Sequence, residues 1–407
     1  MSYDIAALLR ETPLDILCLS DAPWNWMLWT NRQYAVSTLA QMYQKARVLY
    51  VESPSFLITR GGPHRTCWPS GAPVLQRRSP MPFCQEVQER VWVLRPPLPV
   101  PLRMVRKWAS YLLRVEVLLL TRLTLKRLNF GSNLLLWTYN PYSGWYLDRF
   151  GERFRMYEVL NEHTVSAYLK WDADQVARLE EKLLRQSDVV FTVSYQLRHR
   201  KSPFNVNTFF LGNPVNYDLF ANAQQPSGRR CPAELVACQR PILGFYGALS
   251  EDRVDVDLLH AIVESHPEWT LVLIGPPSGQ GWTVLERHHN AVILPAMPQD
   301  ALVKYVAEFD VLLMPYQRNE YVRSSKPLKL MEYFATGKPI VSTYDPDERA
   351  LGNLLFLAED IRSFIAGIQQ ALSTRDSITA SQKSHERIAI ARERTWQHKV
   401  YDMLSYM

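Results

Sequence analysis

Residues 242–275 read ILGFYGALSEDRVDVDLLHAIVESHPEWTLVLIG. Two short apolar runs, Ile242 to Gly247 and Trp269 to Gly275, flank a segment long enough to form a helix. Runs this apolar, bounded by Gly or Pro, are typical of buried parallel strands in βαβ units. The stretch therefore predicts an open α/β sheet in this half of the chain.

The same alternation of apolar runs and helix-length segments continues along the chain in both directions. Each half therefore predicts its own doubly wound, Rossmann-like α/β domain. A polar, turn-rich stretch from Asn216 to Pro241 is the best boundary between them. We expect an N-terminal domain over residues 1–220, a C-terminal domain over 221–380, and a helix over 381–407 that packs back on the first domain. The other predicted strands are Leu14 to Ser20, Arg47 to Val51, Val91 to Arg95, Asn133 to Thr138, Arg155 to Leu160, Val189 to Val193, Ala291 to Pro295, Phe309 to Pro315, Pro339 to Thr343 and Leu354 to Leu357.

Length and composition describe an ordinary folded protein. The chain has 407 residues, of which 47% are hydrophobic and 21% charged, which favours two cores over one and excludes a disordered chain. Its five cysteines form no CxxC pair and no metal-ligand spacing, so we expect a reducing compartment. Neither a signal peptide nor an apolar run of about 18 residues is visible. We therefore expect a cytoplasmic protein, with a peripheral position on the inner face of a membrane left open.

One segment carries a known signature. Residues 316–343, YQRNEYVRSSKPLKLMEYFATGKPIVST, closely resemble the donor site of family-4 retaining glycosyltransferases with the GT-B fold. The pieces at 187–194, 211–220, 242–252 and 270–277 also match this family, and residues 15–33 resemble enzymes of surface polysaccharides such as teichuronic acid. The resemblance implies two Rossmann-like domains facing across a cleft, with a nucleotide diphosphate sugar as co-substrate on the C-terminal domain and no other cofactor. It further implies a carbohydrate or lipid-linked acceptor on the N-terminal domain and transfer with retention.

The resemblance assigns the ribose of the donor to Glu332. A carboxylate can accept two charge-assisted hydrogen bonds from a ribose diol, and the alternative is a solvated helix glutamate. The family has a second Glu eight residues earlier, where this chain has Ser324. Ser325, Lys326 and Pro327 replace the residues whose backbone amides meet the donor sugar. The remaining expected donor contacts are Lys329, Leu328, Gly247 and Ala248.

Positive charge near the diphosphate would stabilise the leaving group as its bond to the sugar breaks. Lys326 and Arg253 are the candidates for this catalytic role, and each could instead be a solvent-facing base. Gly247 follows the first strand of the C-terminal domain, where a small residue lets phosphate approach backbone N–H groups.

The N-terminal domain offers fewer signals. His163, next to Glu162, follows an apolar strand and is the candidate proton carrier, although a lone His is more often structural. Trp24, Trp26 and Arg32 follow the first strand and could contact an acceptor sugar or belong to the core of a large loop.

Asp-x-Asp triplets occur at residues 172–174, 255–257 and 345–347, and three chance matches show how little the pattern means. Asp255 and Asp257 fit an exposed helix start better than a metal site, because acids there suit the helix dipole. We expect no metal.

The charge is concentrated in one region. Residues 60–127 contain 13 Lys or Arg and three acids, which gives +10. Within it, Arg103, Arg106, Lys107 and Arg114 fall on one helical stripe, while Trp108 lies with leucines and valines on the opposite side. An anionic membrane surface and an ordinary surface helix are equally compatible with this pattern. Nucleic acid ranks last, because no binding motif accompanies the charge.

Two rival functions stay open. One is a nucleotide-sugar 2-epimerase of the same fold. The other is a non-catalytic, glycosyltransferase-like binding subunit, which the serine at position 324 supports.

Overall fold

The protein is described by a computed structural model. It covers residues 13–24, 29–52, 83–97, 107–131, 133–162, 173–224, 231–319, 322, 326–344, 346 and 348–406, without the side chains of 107–112, 173, 349 and 350. The chain divides into two compact units. Unit 1 comprises Met1–Leu211 with Lys399–Met407, and unit 2 comprises Gly212–His398.

Unit 1 is a mostly parallel α/β unit. Its strands are β1 (Leu14–Ser20), β2 (Ala46–Glu52), β3 (Cys84–Gln88), β4 (Val91–Leu94), β5 (Leu134–Thr138), β6 (Glu152–Val159), β7 (Val189–Thr192) and β8 (Thr208–Phe210). Its helices are α1 (Asn31–Met42), α2 (Lys107–Arg127), α3 (Ala173–Gln186) and α4 (Tyr195–Lys201). The sheet order is β3-β4-β2-β1-β5-β6-β7-β8, and among these pairs β3 with β4 is antiparallel. The strand β1 shows why the sequence predicts such a sheet, because all seven of its residues are buried.

Unit 2 has a six-stranded sheet and a small two-stranded ladder. Its strands are β9 (Ile242–Tyr246), β10 (Leu249–Ser250), β11 (Thr270–Ile274), β12 (Pro277–Ser278), β13 (Ala291–Leu294), β14 (Val311–Met314), β15 (Ile340–Ser342) and β16 (Phe356–Leu357). Its helices are α5 (Tyr217–Ala221), α6 (Val256–Ser265), α7 (Gly281–Leu285), α8 (Gln299–Val306), α9 (Lys329–Thr336), α10 (Arg349–Gly352), α11 (Ile361–Ser373) and α12 (Ile378–Glu393). The last helix, α13 (Trp396–Ser405), starts in unit 2 and ends in unit 1.

The strand order of unit 2 fixes where a ligand can bind. The six strands are all parallel, in the order β13-β11-β9-β14-β15-β16. The chain runs outward from β9 through β11 to β13 and then returns to β14 on the other side of β9. Loops therefore diverge at the carboxyl ends of β9 and β14, and ligands of open α/β sheets bind at such a point of reversal.

The end of the chain differs from the single helix expected over 381–407. Helical geometry stops at Arg394, whose carbonyl accepts a hydrogen bond from Val215 N at 2.8 Å. The preceding helix α12 is fixed in unit 2, because the buried guanidinium of Arg387 donates to the carbonyls of Leu354 and Gly337. The residues from Lys399 onward belong to unit 1.

The helix α2 presents one face to the core and another to solvent. Val117, Leu118, Thr121, Thr124 and Leu125 are buried. On the opposite face Leu119 is 58% exposed and Leu123 is 42% exposed, and the exposed bases Arg122 and Lys126 lie beside them. In the described part of the chain no helix has the length and apolar character needed to cross a membrane.

Arg114 is the member of the predicted basic stripe whose side chain is described. Its guanidinium lies 5.8 Å from the centre of the Tyr142 ring, and the side chain is half-buried. Arg103 and Arg106 lie outside the described residues. Lys107 and Trp108 lie in the first turn of α2, in a part whose side chains are not described.

A buried ion pair attaches α13 to the sheet of unit 1. Lys399 Nζ lies 2.5 Å from Glu158 Oε1, and both side chains are almost completely buried. Burying two charges is costly, but removing one partner is worse, because it leaves the other charge unpaired in the interior.

We therefore expect Lys399→Met to lower the free energy of unfolding by about 3–5 kcal/mol. The matched control is Arg185→Met, which breaks the exposed pair between Arg185 and Glu181 and costs less than about 1 kcal/mol. Urea denaturation of the two variants measures the difference. Equal losses would contradict the prediction, as would a Glu158→Gln/Lys399→Met double variant no more stable than Lys399→Met alone.

Candidate functional site

Glu332 lies in the first turn of α9, on the helix that follows β14. Its neighbours Met331, Tyr333 and Phe334 are buried in the core of unit 2, and the Glu332 side chain is also buried, at 7% residue exposure. Both carboxylate oxygens are held. Tyr246 Oη donates to Oε2 at 2.7 Å, and Gln299 Nε2 donates to Oε1 at 3.0 Å.

Burial has the largest influence on the pKa of this carboxylate. It raises the pKa of Glu332 above its usual value, and the hydrogen bond from Tyr246, the nearby ammonium of Lys329 and the hydrogen bond from Gln299 counteract part of that rise. Burial also raises the pKa of Tyr246 well above its usual value, and the adjacent Glu332 adds to the effect. The phenol therefore stays protonated and serves as a donor to the carboxylate.

Two glycines bring the backbone close together at the carboxyl ends of β9 and β11. Gly247 has φ = +130° and Gly275 has φ = +154°, a region that side chains rarely adopt. A Cβ at Gly275 would lie 1.8 Å from the Gly247 carbonyl oxygen, so only glycine fits there. A Cβ at Gly247 would lie 2.5 Å from Lys329 Nζ, which places the ammonium directly against this turn.

The structure therefore brings Glu332, Lys329 and Gly247 together around Tyr246 and the turn that follows it. Lys329 Nζ also lies 5.3 Å from the centre of the Phe245 ring and 5.8 Å from that of Tyr316. These rings belong to residues at the ends of β9 and β14, the point where the strand order reverses.

The other predicted cations occupy neighbouring loops at the carboxyl edge of the sheet. Lys326 Nζ lies 5.2 Å from the centre of the Tyr344 ring, beyond the end of β15, and the Lys326 carbonyl accepts from Asn213 at 2.7 Å. Arg253 lies in the loop between β10 and α6, and its carbonyl accepts from Gln317 N at 2.7 Å.

The remaining donor predictions divide into described and undescribed residues. Ala248 is exposed in the turn after Gly247, and Leu328 is the N-cap of α9, with no side-chain hydrogen bond closing that helix end. Ser324 and Ser325 lie outside the described residues.

In unit 1, Trp24 and Arg32 lie near the carboxyl end of β1. The Trp24 ring is 5% exposed and packs edge-on against Tyr50 and Trp29. Arg32 is buried and paired with Asp21, 5.5 Å from the centre of the Tyr139 ring. Both residues thus take part in the packing of unit 1, and their acceptor role stays a prediction.

The remaining predictions for unit 1 concern Trp26, His163 and Glu162. Trp26 and His163 lie outside the described residues. Glu162 is buried and forms an ion pair with Lys201 at 3.0 Å, which gives it a structural partner.

Sequence reasoning missed Tyr246 and Gln299. Tyr246 is the last residue of β9 and directly precedes Gly247. Its position next to the predicted phosphate-binding turn could have indicated a place in the site. Gln299 starts α8, which follows β13 at the far edge of the sheet, and no local motif marks it.

Asp255 has the structural role expected for it. It is the N-cap of α6, and its side chain accepts from Leu258 N at 3.0 Å, while Asp257 lies in the first turn. Asp172, Asp345 and Asp347, from the other two triplets, lie outside the described residues.

Comparison with known proteins identifies the part of the chain that contains this cluster. Residues 240–374 match the sequence model of the family described as Glycosyl transferases group 1. The matched segment includes Glu332, Tyr246, Gln299, Lys329 and both glycines of the turn.

One curated relative and two solved structures extend the comparison. The chain is 31% identical over 138 residues to a Bacillus subtilis (strain 168) protein whose provisional name is teichuronic acid biosynthesis glycosyltransferase TuaH. That match covers 33% of this chain and 34% of the relative, so it spans about a third of each.

The solved structures cover nearly the whole chain. The α,α-trehalose 6-phosphate synthase of Burkholderia multivorans has a TM-score of 0.65 at 13% identity, covering 96% of this chain and 95% of that one. Anabaena Alr3699/HepE in complex with UDP-glucose has a TM-score of 0.61 at 13% identity, covering 97% and 100%. With two Rossmann-like units, the predicted GT-B fold is confirmed.

The raised pKa of Glu332 predicts a pH dependence of stability. Because its pKa is higher in the folded protein than in the unfolded chain, the folded state binds more protons between the two values. The stability contributed by the neutral carboxyl is fully present below the unfolded pKa and is lost as the pH rises through the folded pKa. Replacing Glu332 with Gln removes this loss.

We expect the Tm of Glu332→Gln, relative to the unmodified protein, to rise as the pH increases through the raised pKa. Thermal denaturation over a pH series measures it, with the exposed Glu286→Gln as the control. The prediction is wrong if the difference in Tm between Glu332→Gln and the unmodified protein does not change with pH. It is also wrong if Glu286→Gln shows the same pH dependence.

Proposed function

We propose that the protein is a glycosyltransferase that takes a sugar from a nucleotide diphosphate sugar bound by unit 2. The observation that carries the proposal is the buried, doubly held carboxylate of Glu332 beside the Gly247 turn, within the segment that matches the group 1 glycosyltransferase family. The bound UDP-glucose named for the Anabaena structure supports the same class of donor.

Glu332 binds the ribose. An ionised carboxylate has about four lone-pair positions, and Tyr246 and Gln299 use one on each oxygen. The remaining positions accept the 2′- and 3′-hydroxyls. Because the two protein donors fix the plane of the carboxylate, its acceptor positions are oriented before the donor arrives, which lowers the ordering cost of binding.

The diphosphate lies against the turn at Gly247 and the N-terminal end of α9. Backbone N–H groups in a glycine turn and at a helix start attract phosphate oxygens. Lys329 already lies against Gly247, and Lys326 and Arg253 extend the positive charge along the same edge of the sheet. Ser324 and Ser325 precede Lys326 directly and complete the contacts to the donor sugar.

In the chemical step the bond between the sugar C1 and the diphosphate oxygen breaks, and C1 bonds to an acceptor hydroxyl oxygen. The departing phosphate gains negative charge, which Lys326 and Arg253 stabilise, and it takes the proton of the acceptor hydroxyl. Attack on the face that the phosphate leaves retains the anomeric configuration. The acceptor is a carbohydrate or a lipid-linked sugar bound by unit 1, with Trp24, Trp26, Arg32 and His163 as its candidate contacts. The name of the B. subtilis relative supports a role in surface polysaccharide synthesis.

A lipid-linked acceptor places the protein at a membrane. The exposed leucines 119 and 123 and the bases Arg122 and Lys126 recur at spacings of three and four along α2, so they share one face. Apolar side chains flanked by bases suit the interface of an anionic bilayer. Arg103, Arg106, Lys107 and Arg114 add charge at the other end of the segment.

Donor binding is tested by thermal shift against UDP, GDP, ADP and their sugars. We expect one of them to raise the Tm, and we expect the rise to disappear in Glu332→Ala but not in the exposed control Glu286→Ala. With that donor, Lys326→Ala and Arg253→Ala should each lower kcat about a hundredfold, as loss of a transition-state contact does.

The outcomes separate the rival functions. Stabilisation by a nucleotide sugar with transfer only when an acceptor is present supports the proposal. Release of UDP without an acceptor favours the 2-epimerase, and failure of every nucleotide to bind favours a non-catalytic subunit.

Membrane binding is tested by flotation with vesicles that contain an anionic lipid. We expect a Leu119→Glu/Leu123→Glu variant to reduce vesicle association by about fivefold or more, because it removes apolar contacts and adds repulsion. Val206→Glu is the matched control, since Val206 is 91% exposed in the same unit. Charge reversal at Arg103, Arg106, Lys107 and Arg114 should act in the same direction. If neither the leucine variant nor the charge-reversal variant changes vesicle association, α2 is not the membrane-binding surface.

A further inference from the structure

Three side chains capable of binding a metal converge in unit 2, on residues that the donor site does not use. His260 and Glu264 are one turn apart on α6, so they share a helix face. His288 lies between α7 and β13. One ligand atom from each of the three residues lies within 4.8 Å of the other two, and the two imidazole ring centres are 5.6 Å apart.

The backbone segments that carry these side chains are fixed relative to each other. The opposite face of α6 is anchored in the core by Leu259 and Ile262, which are fully buried. On the other segment, Leu285 and Trp282 of α7 are buried three and six residues before His288.

Asn290 connects the two segments. It is buried two residues after His288, and its Nδ2 donates to the carbonyls of Val263, His266 and Trp269 at 3.1, 3.3 and 3.1 Å. These carbonyls belong to the end of α6 and the residues that follow it. The distance between His288 and the helix that carries Glu264 is thereby set by the fold.

His260 has the environment of a metal-binding histidine. Its Nε2 lies 3.3 Å from the Gly281 carbonyl oxygen. In the tautomer whose Nε2–H donates to this carbonyl, Nδ1 keeps its lone pair for a cation. Metal-binding histidines commonly donate their other ring N–H to a carbonyl in this way, which fixes the ring orientation.

We propose that His260, Glu264 and His288 form a binding site for a divalent zinc-type cation. Two imidazole nitrogens and one carboxylate oxygen are ligands that zinc takes, and three protein ligands leave a fourth tetrahedral position for water. His260 and His288 are half-buried and Glu264 is exposed, so the cation can enter from solvent.

The cation connects α6 to the turn after α7. Because α6 directly follows the loop that carries Arg253, this connection stabilises one wall of the region assigned to the donor. Its role is structural, and the site stands whether or not the proposed transfer reaction is correct.

The experiment uses the full chain, freed of metal by a chelator and titrated with Zn²⁺ by calorimetry. We expect one equivalent to bind and saturating Zn²⁺ to raise the Tm by about 5 °C. Co²⁺ is the spectroscopic probe for the ligands. We expect a visible spectrum without a thiolate charge-transfer band, which separates this site from binding by the cysteines.

His260→Ala and His288→Ala should each weaken Zn²⁺ binding by about tenfold or more, while His289→Ala, an exposed neighbour outside the cluster, should not. Glu264→Gln changes an exposed residue and tests the site without disturbing the core. A thiolate band, no binding of Zn²⁺ to the unmodified protein, or unchanged affinity in the His260→Ala and Glu264→Gln variants would overturn the proposal.

Discussion

The buried carboxylate of Glu332 is the feature on which the rest of the candidate site depends. A charge at this depth is tolerated only because Tyr246 and Gln299 donate to both of its oxygens and an ammonium lies nearby. These partners come from β9, α8 and α9, which are far apart in sequence. They meet where the strand order reverses between β9 and β14. The sheet topology therefore determines which side chains surround Glu332.

Gly247 and Gly275 shape the backbone at the same end of the sheet. Gly275 lets the ends of β11 and β9 approach within contact distance, and Gly247 leaves room for the Lys329 ammonium. Side chains at either position would push the turn away from α9. The site therefore combines a rigid acceptor for hydroxyl groups with an open, positively charged turn, and these are the two features that a sugar-bearing diphosphate requires of its binding site.

Local pattern was enough to predict most of the strands, because both faces of a parallel sheet are buried and the apolar runs are continuous. The run at Leu14–Ser20 coincides with β1, and the fold class followed from such runs. Glu332 and Gly247 were found because each belongs to a recognisable segment. The antiparallel strand β3 was missed, since CQEVQ is polar and half-exposed at the sheet edge.

Contacts set by tertiary structure were not predictable in the same way. Gln299 reaches Glu332 only because α8 returns across the sheet. His288 meets His260 only because Asn290 holds its segment against α6. Likewise, the sequence around Trp24 and Arg32 was compatible with a sugar contact and with core packing, because the ring contact between Trp24 and Tyr50 joins residues that are well separated in sequence.

Because α13 ends in unit 1, unit 1 is formed by two separate stretches of the chain. Unit 2 is inserted into unit 1, because the chain leaves unit 1 after Leu211 and re-enters it at Lys399. The hydrogen bond from Val215 N to the Arg394 carbonyl holds the two ends of the insert side by side. Residues 212–398 thus form a compact unit whose two ends lie close together, whereas residues 1–211 by themselves lack Lys399, the ion-pair partner of Glu158.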